Sequence, residues 1–210
     1  DRADRKTRRF QGKSDPIDAY AAARAAISGR ASAIPKARDG NVEMIRVLRV
    51  ARNSAIKARV AAIVQLKATI VSAPAGLREG LAGLDKTALI DRCARFRVAR
   101  TGDGHLDSTT GATKAALKTL ARRVRSLDDE ISVLDSDLGY LVEATAPTLV
   151  SLFGVGTDVA GQLLVTADDN PERLKSSAAF AHLCGVAPVP ASSGRTTRHR
   201  LNRGGDRHAN

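Results

Sequence analysis

The feature that most constrains this chain is a run of eight aliphatic residues separated alternately by three and four positions. The run comprises Leu117, Leu120, Val124, Leu127, Ile131, Leu134, Leu138 and Leu141. This spacing places all eight side chains on one stripe of an α-helix, the seam through which coiled-coil helices pack. A single helix cannot bury such a stripe by itself, so the sequence calls for a second long helix.

A second amphipathic helix is predicted over residues 41–71. Its apolar residues at broadly helical spacing are Ile45, Leu48, Ile56, Val60, Ile63 and Ile70. The two long helices can pair with each other as a hairpin, or either can pair between subunits, and periodicity does not choose. A helix packed simply on its own domain is a further alternative. A homo-oligomer formed through the coiled coil is therefore one expectation.

Composition favours a mainly α fold with a polyanionic partner. Aromatic residues make up only 3% of the chain and Trp is absent, while Ala, Arg, Leu and Val dominate, which favours helix over strand. The formal net charge is +12, which makes nucleic acid the leading partner class. With two distant cysteines, Cys93 and Cys184, and no apolar run of membrane-spanning length, we expect reduced thiols in a soluble, cytoplasmic protein.

The first candidate site is the sequence Lys-Ser-Asp-Pro-Ile-Asp-Ala at residues 13–19. A helix is predicted from Pro16 to Ile27, and residues three apart on a helix share a face, so Asp15 and Asp18 can direct two carboxylates at one point. Hard cations such as Mg²⁺ are bound by a few carboxylates together with substrate phosphate oxygens. Ordinary helix-start chemistry, with Asp15 as the N-cap and Pro16 at the first helical position, explains the same residues.

The second candidate is a two-glycine turn between predicted helices, with the sequence Leu-Phe-Gly-Val-Gly-Thr-Asp-Val-Ala at residues 152–160. Free backbone N–H groups and the positive end of a helix dipole at such a turn suit a phosphate. The spacing of Gly154 and Gly156 resembles the helix-hairpin-helix element of DNA-repair and recombination proteins, which grips the sugar-phosphate backbone without reading sequence. A plain connection between two helices is the alternative.

The third candidate is a Ser-Ser-Gly segment, Ser192 to Gly194, followed by clustered basic residues. A serine ahead of a glycine in a loop can present its hydroxyl as a nucleophile, and guanidinium groups can hold a scissile phosphate. The arginines predicted to bind nucleic acid are Arg195, Arg198, Arg200 and Arg203. A flexible Ser-Gly segment leading to a basic arm is at least as good an interpretation of the letters alone.

The order of these motifs is more specific than any one of them. Lys-Ser-Asp-Pro-Ile-Asp-Ala lies near the start and is followed by the coiled coil and the Gly-Val-Gly turn. Gly-Val-Ala-Pro, Ser-Ser-Gly and Arg-Leu-Asn-Arg-Gly-Gly-Asp-Arg then close the chain. This order resembles that of the Piv-invertase-like transposases of bacterial insertion sequences, which join an N-terminal RuvC-like DEDD domain to a C-terminal transposase domain. The similarity covers essentially the whole chain.

The resemblance implies a domain plan. Residues 1–40 would be the end of the RuvC-like, ribonuclease-H-type domain with a linker. Residues 41–146 would form the helical coiled-coil region. Residues 147–210 would be the C-terminal transposase domain, with the helix-hairpin-helix-like turn, the Ser-Gly loop and a basic tail. A bacterial protein associated with the nucleoid is expected.

The resemblance also implies a mechanism and partners. In that family four acidic residues bind a divalent metal, expected to be Mg²⁺, and a C-terminal serine is proposed to attack DNA and form a phosphoserine link. A structured guide RNA pairs with the DNA. Asp15 and Asp18 would correspond to the last two acids, and Ser193, or otherwise Ser192, to the nucleophile.

The sequence departs from the family at its start, because the first Asp and the Glu of the acidic set lie on an upstream strand and helix that this sequence does not contain. The metal site is then incomplete, and we expect an incomplete chain that does not recombine DNA by itself. A non-catalytic helical DNA- or RNA-binding protein, dimeric through its coiled coil, is the competing interpretation. Its binding would weaken with salt but need no metal. A structural coiled-coil scaffold is the third.

Overall fold

The computed structural model describes residues 10, 14–29, 38–167, 174–192 and 196–209. The helices within this part of the chain are α1 (Asp15–Ile27), α2 (Asn41–Val71), α3 (Ala75–Glu79), α4 (Lys86–Ala94), α5 (Thr109–Thr145), α6 (Pro147–Val150), α7 (Thr157–Ala167) and α8 (Ser177–Leu183). The described strands are β1 (Val189–Pro190) and β2 (His199–Arg200). The predicted mainly α class is confirmed. The chain divides into two compact units, with the boundary between residues 37 and 38.

The first unit contains α1, which begins one residue earlier than predicted. Ser14 is the N-cap, and Asp15 and Asp18 both lie in the first turn. Proline is tolerated there because the first amides of a helix have no intrahelical partner. The helix-start alternative therefore needs a correction: Asp15 is the first helical residue and not the cap. The predicted end of this helix at Ile27 is confirmed.

The second unit is built on an antiparallel hairpin of the two long helices, α2 and α5. Arg52 on α2 pairs with Asp135 on α5, and Arg59 pairs with Asp128. Seven residues forward along α2 therefore correspond to seven residues back along α5, which fixes the register and the antiparallel direction. Of the arrangements that periodicity left open, the hairpin within one chain is the one that forms.

The predicted seam of α5 faces the interior of this hairpin. Every second member of the run is buried: Leu117, Val124, Ile131 and Leu138. The other four members are half-buried. The alternation arises because one set points at the partner helix and the other lies beside it, as in a two-helix coil.

The seam of α2 differs from its prediction in the residues that it buries. Ile45 and Leu66 are buried as a helix partner requires, but Ala55 and Ala62 fill the positions between them. Val60, predicted on the apolar stripe, is 52% exposed, so that assignment is wrong. Alanine at the contact lets the two helix backbones approach closely, which a larger side chain would prevent.

The end of the hairpin at which α2 leads into α5 is closed by α3 and α4, which lie in the connection between the two helices. Ile90 and Cys93 of α4 pack against Leu66, Leu117 and their neighbours in one apolar cluster. Burial raises the pKa of the Cys93 thiol, so it behaves as a small apolar side chain. The loop predicted up to Gly111 ends earlier, because the Ser108 hydroxyl accepts a hydrogen bond from the Gly111 amide at 3.0 Å and starts α5.

The opposite end of the hairpin, where α2 begins and α5 ends, is covered by α7. This helix packs on both long helices around Ile45, Val142 and Ala160. A glycine on α7 allows this close approach. A Cβ at Gly161 would lie 3.3 Å from Arg49 Nη1 and 3.4 Å from a Val142 methyl group. No helix in the described ranges is both long enough and apolar enough to cross a membrane.

Candidate functional site

Ser192 of the Ser-Ser-Gly segment lies two residues after the first strand of a short antiparallel strand pair in the second unit. The antiparallel strands β1 and β2 pair Val189 with Arg200 and Pro190 with His199. The Ala191 amide donates to the Arg198 carbonyl at 2.8 Å and extends the pairing by one step. Residues 189–191 are therefore held against residues 198–200 by backbone hydrogen bonds.

The hydroxyl of Ser192 extends this pairing. Its Oγ accepts a hydrogen bond from the Arg198 amide at 3.0 Å and donates to the Arg198 carbonyl at 3.4 Å. This side chain is exposed, but its hydroxyl is engaged in holding the two sides of the loop together. Ser193 and Arg195, predicted as nucleophile and phosphate contact, lie outside the described residues.

The other arginines predicted to bind nucleic acid are all on the surface. Arg198 sits opposite Ser192 across the loop base, Arg200 lies on β2, and Arg203 follows in the tail. No carboxylate of the described residues lies within 4.0 Å of their guanidinium groups. The structure thus brings Ser192, Arg198 and Arg200 together on one hairpin, with charge available for a phosphate.

The basic tail is anchored to the helical body through one carboxylate, Asp206. Its Oδ2 accepts hydrogen bonds from Thr166 Oγ1 at 2.7 Å and Gln162 Nε2 at 3.0 Å. Its backbone amide donates to the Leu183 carbonyl at 2.8 Å. The tail is therefore attached at Asp206 to α7 and to the end of α8.

A buried arginine continues this network into the hairpin. Nη1 of Arg49 donates to the Asp158 carbonyl at 2.7 Å and to its Oδ1 at 2.8 Å, and Nη2 donates to Gln162 Oε1 at 2.9 Å. Gln162 thus connects Arg49 of α2 with Asp206 of the tail. The polar chain fixes the orientation of the serine-bearing region relative to the coiled coil.

The sequence carried signals for the arginine–aspartate pairs of the hairpin and for the role of Asp206 that its interpretation missed. Ile45, Arg52, Arg59 and Leu66 are spaced by seven residues, so the arginines occupy seam positions and were to be expected at an interface. Asp206 is the one acid in the sequence after residue 172. An isolated acid among arginines is a candidate for a structural contact.

Acidification should loosen the attachment of the tail. Burial acts to raise the pKa of Asp206, but hydrogen bonds from Thr166, the His208 amide and Gln162, with the nearby charge of His208, together bring that pKa below its ordinary value. A lowered folded-state pKa means that the stabilisation is present above about pH 4 and is lost as pH falls through the folded pKa. The observed exchange rate of the Asp206 amide, divided by its intrinsic rate at the same pH, should increase there. In Asp206→Asn this acid-dependent increase should disappear; its persistence would contradict the assignment.

The two-glycine turn lies between α6 and α7. Gly154 adopts a positive φ of 82°, and the Gly156 carbonyl accepts from the Ala160 amide at 2.9 Å, which starts α7. A Cβ at either glycine would meet no atom within 4 Å, so the turn is open on both sides. Because α6 has only four residues, the helix-hairpin-helix assignment stays a prediction.

The turn lies at the opposite end of α7 from the residue that anchors the tail. Gly156 precedes α7, whereas Thr166, which anchors the tail, is near the end of that helix. Ten residues of α-helix separate them by about 15 Å. Asp158, in the first turn of α7, is shared by Arg49 and Arg52.

The two predicted metal ligands lie in the first unit. Asp15 is exposed and Asp18 half-buried, one turn apart at the start of α1. Within the described ranges, no group of three or more His, Cys, Asp or Glu side chains is arranged to hold a metal ion. Two carboxylates at this spacing suit Mg²⁺, which completes its coordination with water and substrate oxygens. Asp15 and Asp18 thus fit two of the four acidic ligands that the resemblance implies.

Comparison with known proteins points to the same class as the motif order. Residues 146–210 match the family described as Transposase IS116/IS110/IS902 family. The chain is also 33% identical over 102 residues to the Insertion element IS110 uncharacterized 43.6 kDa protein of Streptomyces coelicolor. This match covers 47% of the chain and 25% of the relative. No solved structure matches. The two similarities support the prediction of an insertion-sequence transposase.

Proposed function

We propose that this chain is part of an insertion-sequence transposase that cuts and rejoins DNA with a serine nucleophile. The observation that carries the proposal is the hairpin that holds Ser192, Arg198 and Arg200 together within the segment that matches the transposase family. The match covers about a quarter of the length of the curated relative, so the activity of a whole transposase is part of the proposal.

The proposed reaction is a transesterification at phosphorus. The serine Oγ forms a bond to the phosphorus atom, one P–O ester bond of the DNA strand breaks, and the departing strand end takes a proton. Rejoining reverses the exchange. The exposed guanidinium groups of Arg198, Arg200 and Arg203 would hold the phosphate and balance its negative charge as the bond is transferred.

Ser193 is the preferred nucleophile. The hydroxyl of Ser192 is hydrogen-bonded to both backbone groups of Arg198, so using it as a nucleophile would open the base of the loop. Ser193 is the adjacent hydroxyl and directly precedes Gly194. Ser192 would then shape the loop that presents it.

Asp15 and Asp18 would contribute two carboxylates to the Mg²⁺ site. Mg²⁺ supplies positive charge that positions the phosphate and stabilises the charge of the transition state. In the architecture of the Piv-invertase-like transposases the other two acids come from the preceding part of a RuvC-like domain. The helix-hairpin-helix-like turn at Gly154 and Gly156 would grip a neighbouring phosphate through its amides.

The proposed partners are DNA and a structured guide RNA. A homo-oligomer through the coiled coil is also proposed, but it cannot use the seam of α5, which α2 already covers. One surface available for such a contact is the outer side of α2, where Val50, Val64 and Val71 are exposed.

A covalent protein–DNA adduct is the decisive observation. The complete transposase that contains this sequence, incubated with Mg²⁺ and DNA carrying the ends of its own element, should yield an adduct that survives denaturation with detergent. Ser193→Ala should abolish the adduct while the affinity for DNA changes little, because only the attacking atom is removed. The readout is gel electrophoresis of end-labelled DNA.

Two further variants make this test specific. Ser136→Ala removes an exposed serine from the middle of α5 and should leave adduct formation unchanged. Ser192→Ala should reduce adduct formation by loosening the loop without abolishing it. If adducts form when both loop serines are replaced, the nucleophile assignment is wrong. DNA binding without cleavage under all metal conditions would favour the non-catalytic binding protein instead.

A further inference from the structure

The long helix α5 is divided into a basic and an acidic half. Residues 109–125 carry five basic residues and no acid, and residues 126–145 carry six acids and no base. Two of the acids have a structural role, since Asp128 and Asp135 pair with Arg59 and Arg52 of α2. The basic half has no such use in the hairpin.

Four of the five basic residues form one stripe along the helix: Lys114, Lys118, Arg122 and Arg125. Their separations of four, four and three residues place them on the same face, away from the buried seam of Leu117 and Val124. Arg122 and Arg125 are exposed, and Lys114 and Lys118 are half-buried. The next residue on this face, Asp129, carries the opposite charge and marks the end of the stripe.

The stripe does not stabilise the helix. Like charges four residues apart on a helix repel by a few tenths of a kcal/mol per pair. No described carboxylate lies within ion-pairing distance of the four side chains, whereas the arginines of the facing helix are paired. Four unpaired cations in a row are therefore a feature that folding alone does not explain.

The stripe begins beside the segment that follows α4. Lys114 Nζ lies 6.0 Å from the centre of the Phe96 ring. The Ala99 carbonyl is 3.7 Å from the position of a Cβ at Gly111, so the segment passes along the first turns of α5. Arg97, exposed and next to Phe96, extends the same positive surface.

We propose that the stripe of Lys114, Lys118, Arg122 and Arg125 binds the phosphate backbone of a DNA duplex, as a second DNA-contacting surface distinct from the C-terminal hairpin. The stripe spans eleven residues of helix, about 16 Å. Duplex DNA carries one phosphate about every 1.7 Å of its axis when both strands are counted, so a stripe of this length faces a dense array of phosphates. Contacts to phosphate carry no sequence information, so we expect the binding to be independent of sequence. The inference rests on the proposed function only in taking DNA as the polyanion.

The salt dependence of DNA binding tests the stripe directly. The full chain is titrated into a fluorescein-labelled DNA duplex of arbitrary sequence, about 30 base pairs long, and the Kd is measured by anisotropy between about 50 and 200 mM salt. Replacing the four residues together by Gln should lower the slope of log K against log salt by about 3 to 4, since each phosphate contact contributes about 0.9. The affinity at about 100 mM salt should fall at least ten-fold.

A matched variant separates contact from net charge. Lys57→Gln, Lys67→Gln, Arg78→Gln and Lys86→Gln together remove the same charge from exposed positions outside the stripe. This control should change the slope by less than 1. An equal loss in both variants, or no detectable binding by the parent chain, would overturn the proposal. The proposal would also be overturned if the chain bound an RNA duplex of the same sequence more tightly than the DNA duplex and lost that affinity in the stripe variant. The stripe would then be an RNA-binding surface.

Chemical labelling gives a second, independent measurement. Acetylation of Lys114 and Lys118 should be suppressed by the DNA duplex, while Lys57 and Lys67 remain reactive. Arg198→Gln with Arg200→Gln and Arg203→Gln tests the C-terminal hairpin in the same assay. If only that variant loses affinity, the stripe is not a DNA surface and the proposed transposase function stands. If the stripe is protected but the serine variants still cleave, the stripe stands and the serine mechanism fails.

Discussion

Leu117→Ala is expected to destabilise the chain by about 2 to 5 kcal/mol, the range for truncating a fully buried leucine. Leu117 of α5 is completely buried against α2 and α4, in the cluster that also contains Leu66 and Cys93. Removing its side chain leaves a cavity where three helices meet, and rigid helices cannot collapse fully into it. For a chain of this size the loss corresponds to a decrease in Tm of about 5 to 15 °C.

The measurement is urea unfolding followed by helical circular dichroism. Val133→Ala is the matched control, because Val133 lies on the same helix but is 62% exposed. Its unfolding free energy should change by no more than about 0.5 kcal/mol. Equal destabilisation by the two variants would contradict the hairpin, since it would mean that the two faces of α5 are equivalent.

Gly205→Ala is expected to release the C-terminal tail from the helical body. The first side-chain carbon at this position would overlap the Cα and N atoms of Gly185, and backbone atoms cannot move aside as a flexible side chain can. Gly185 is itself fixed, since its φ of 78° belongs to the left-handed region that favours glycine. We expect a local destabilisation of about 1 to 3 kcal/mol or more.

The adjacent glycine provides the control for this prediction. A Cβ at Gly204 would meet its nearest neighbour, Asn202 Oδ1, at 3.5 Å, which is ordinary contact. Gly205→Ala should raise the exchange rate of the Asp206 amide and speed cleavage by trypsin after Arg203, whereas Gly204→Ala should change neither. The helical circular dichroism of the hairpin should be the same in both variants. If the tail of Gly205→Ala stays protected, the close backbone contact is wrong.

The tail contact also bears on the proposed chemistry. Asp206 fastens the tail to α7, and the β-hairpin with Ser192 lies between α8 and that tail. Detaching the tail should therefore reduce adduct formation in the complete transposase even though no reacting group is changed. Ser193→Ala, in contrast, should abolish the adduct and leave the tail protected.

The sequence by itself determined the helical class, the bounds of α2, the seam of α5 and the order of motifs that indicates a transposase. These depend on local properties: a three-four repeat of aliphatic residues has one helical solution, and motif order is visible without coordinates. Ser192, Asp15 and Gly154 could be singled out in the same way, because each stands in a short motif.

Only the tertiary structure decided how the seam is covered, because any helix with a complementary stripe satisfies a heptad pattern. It placed Val60 on the surface and the alanines at the interface, since helix separation depends on the pair of helices and not on one of them. It also joined Arg49, Gln162 and Asp206, which are remote in sequence. Hydrogen bonds between remote residues leave no periodic signal, so the anchoring of the tail became apparent only when the helices were packed.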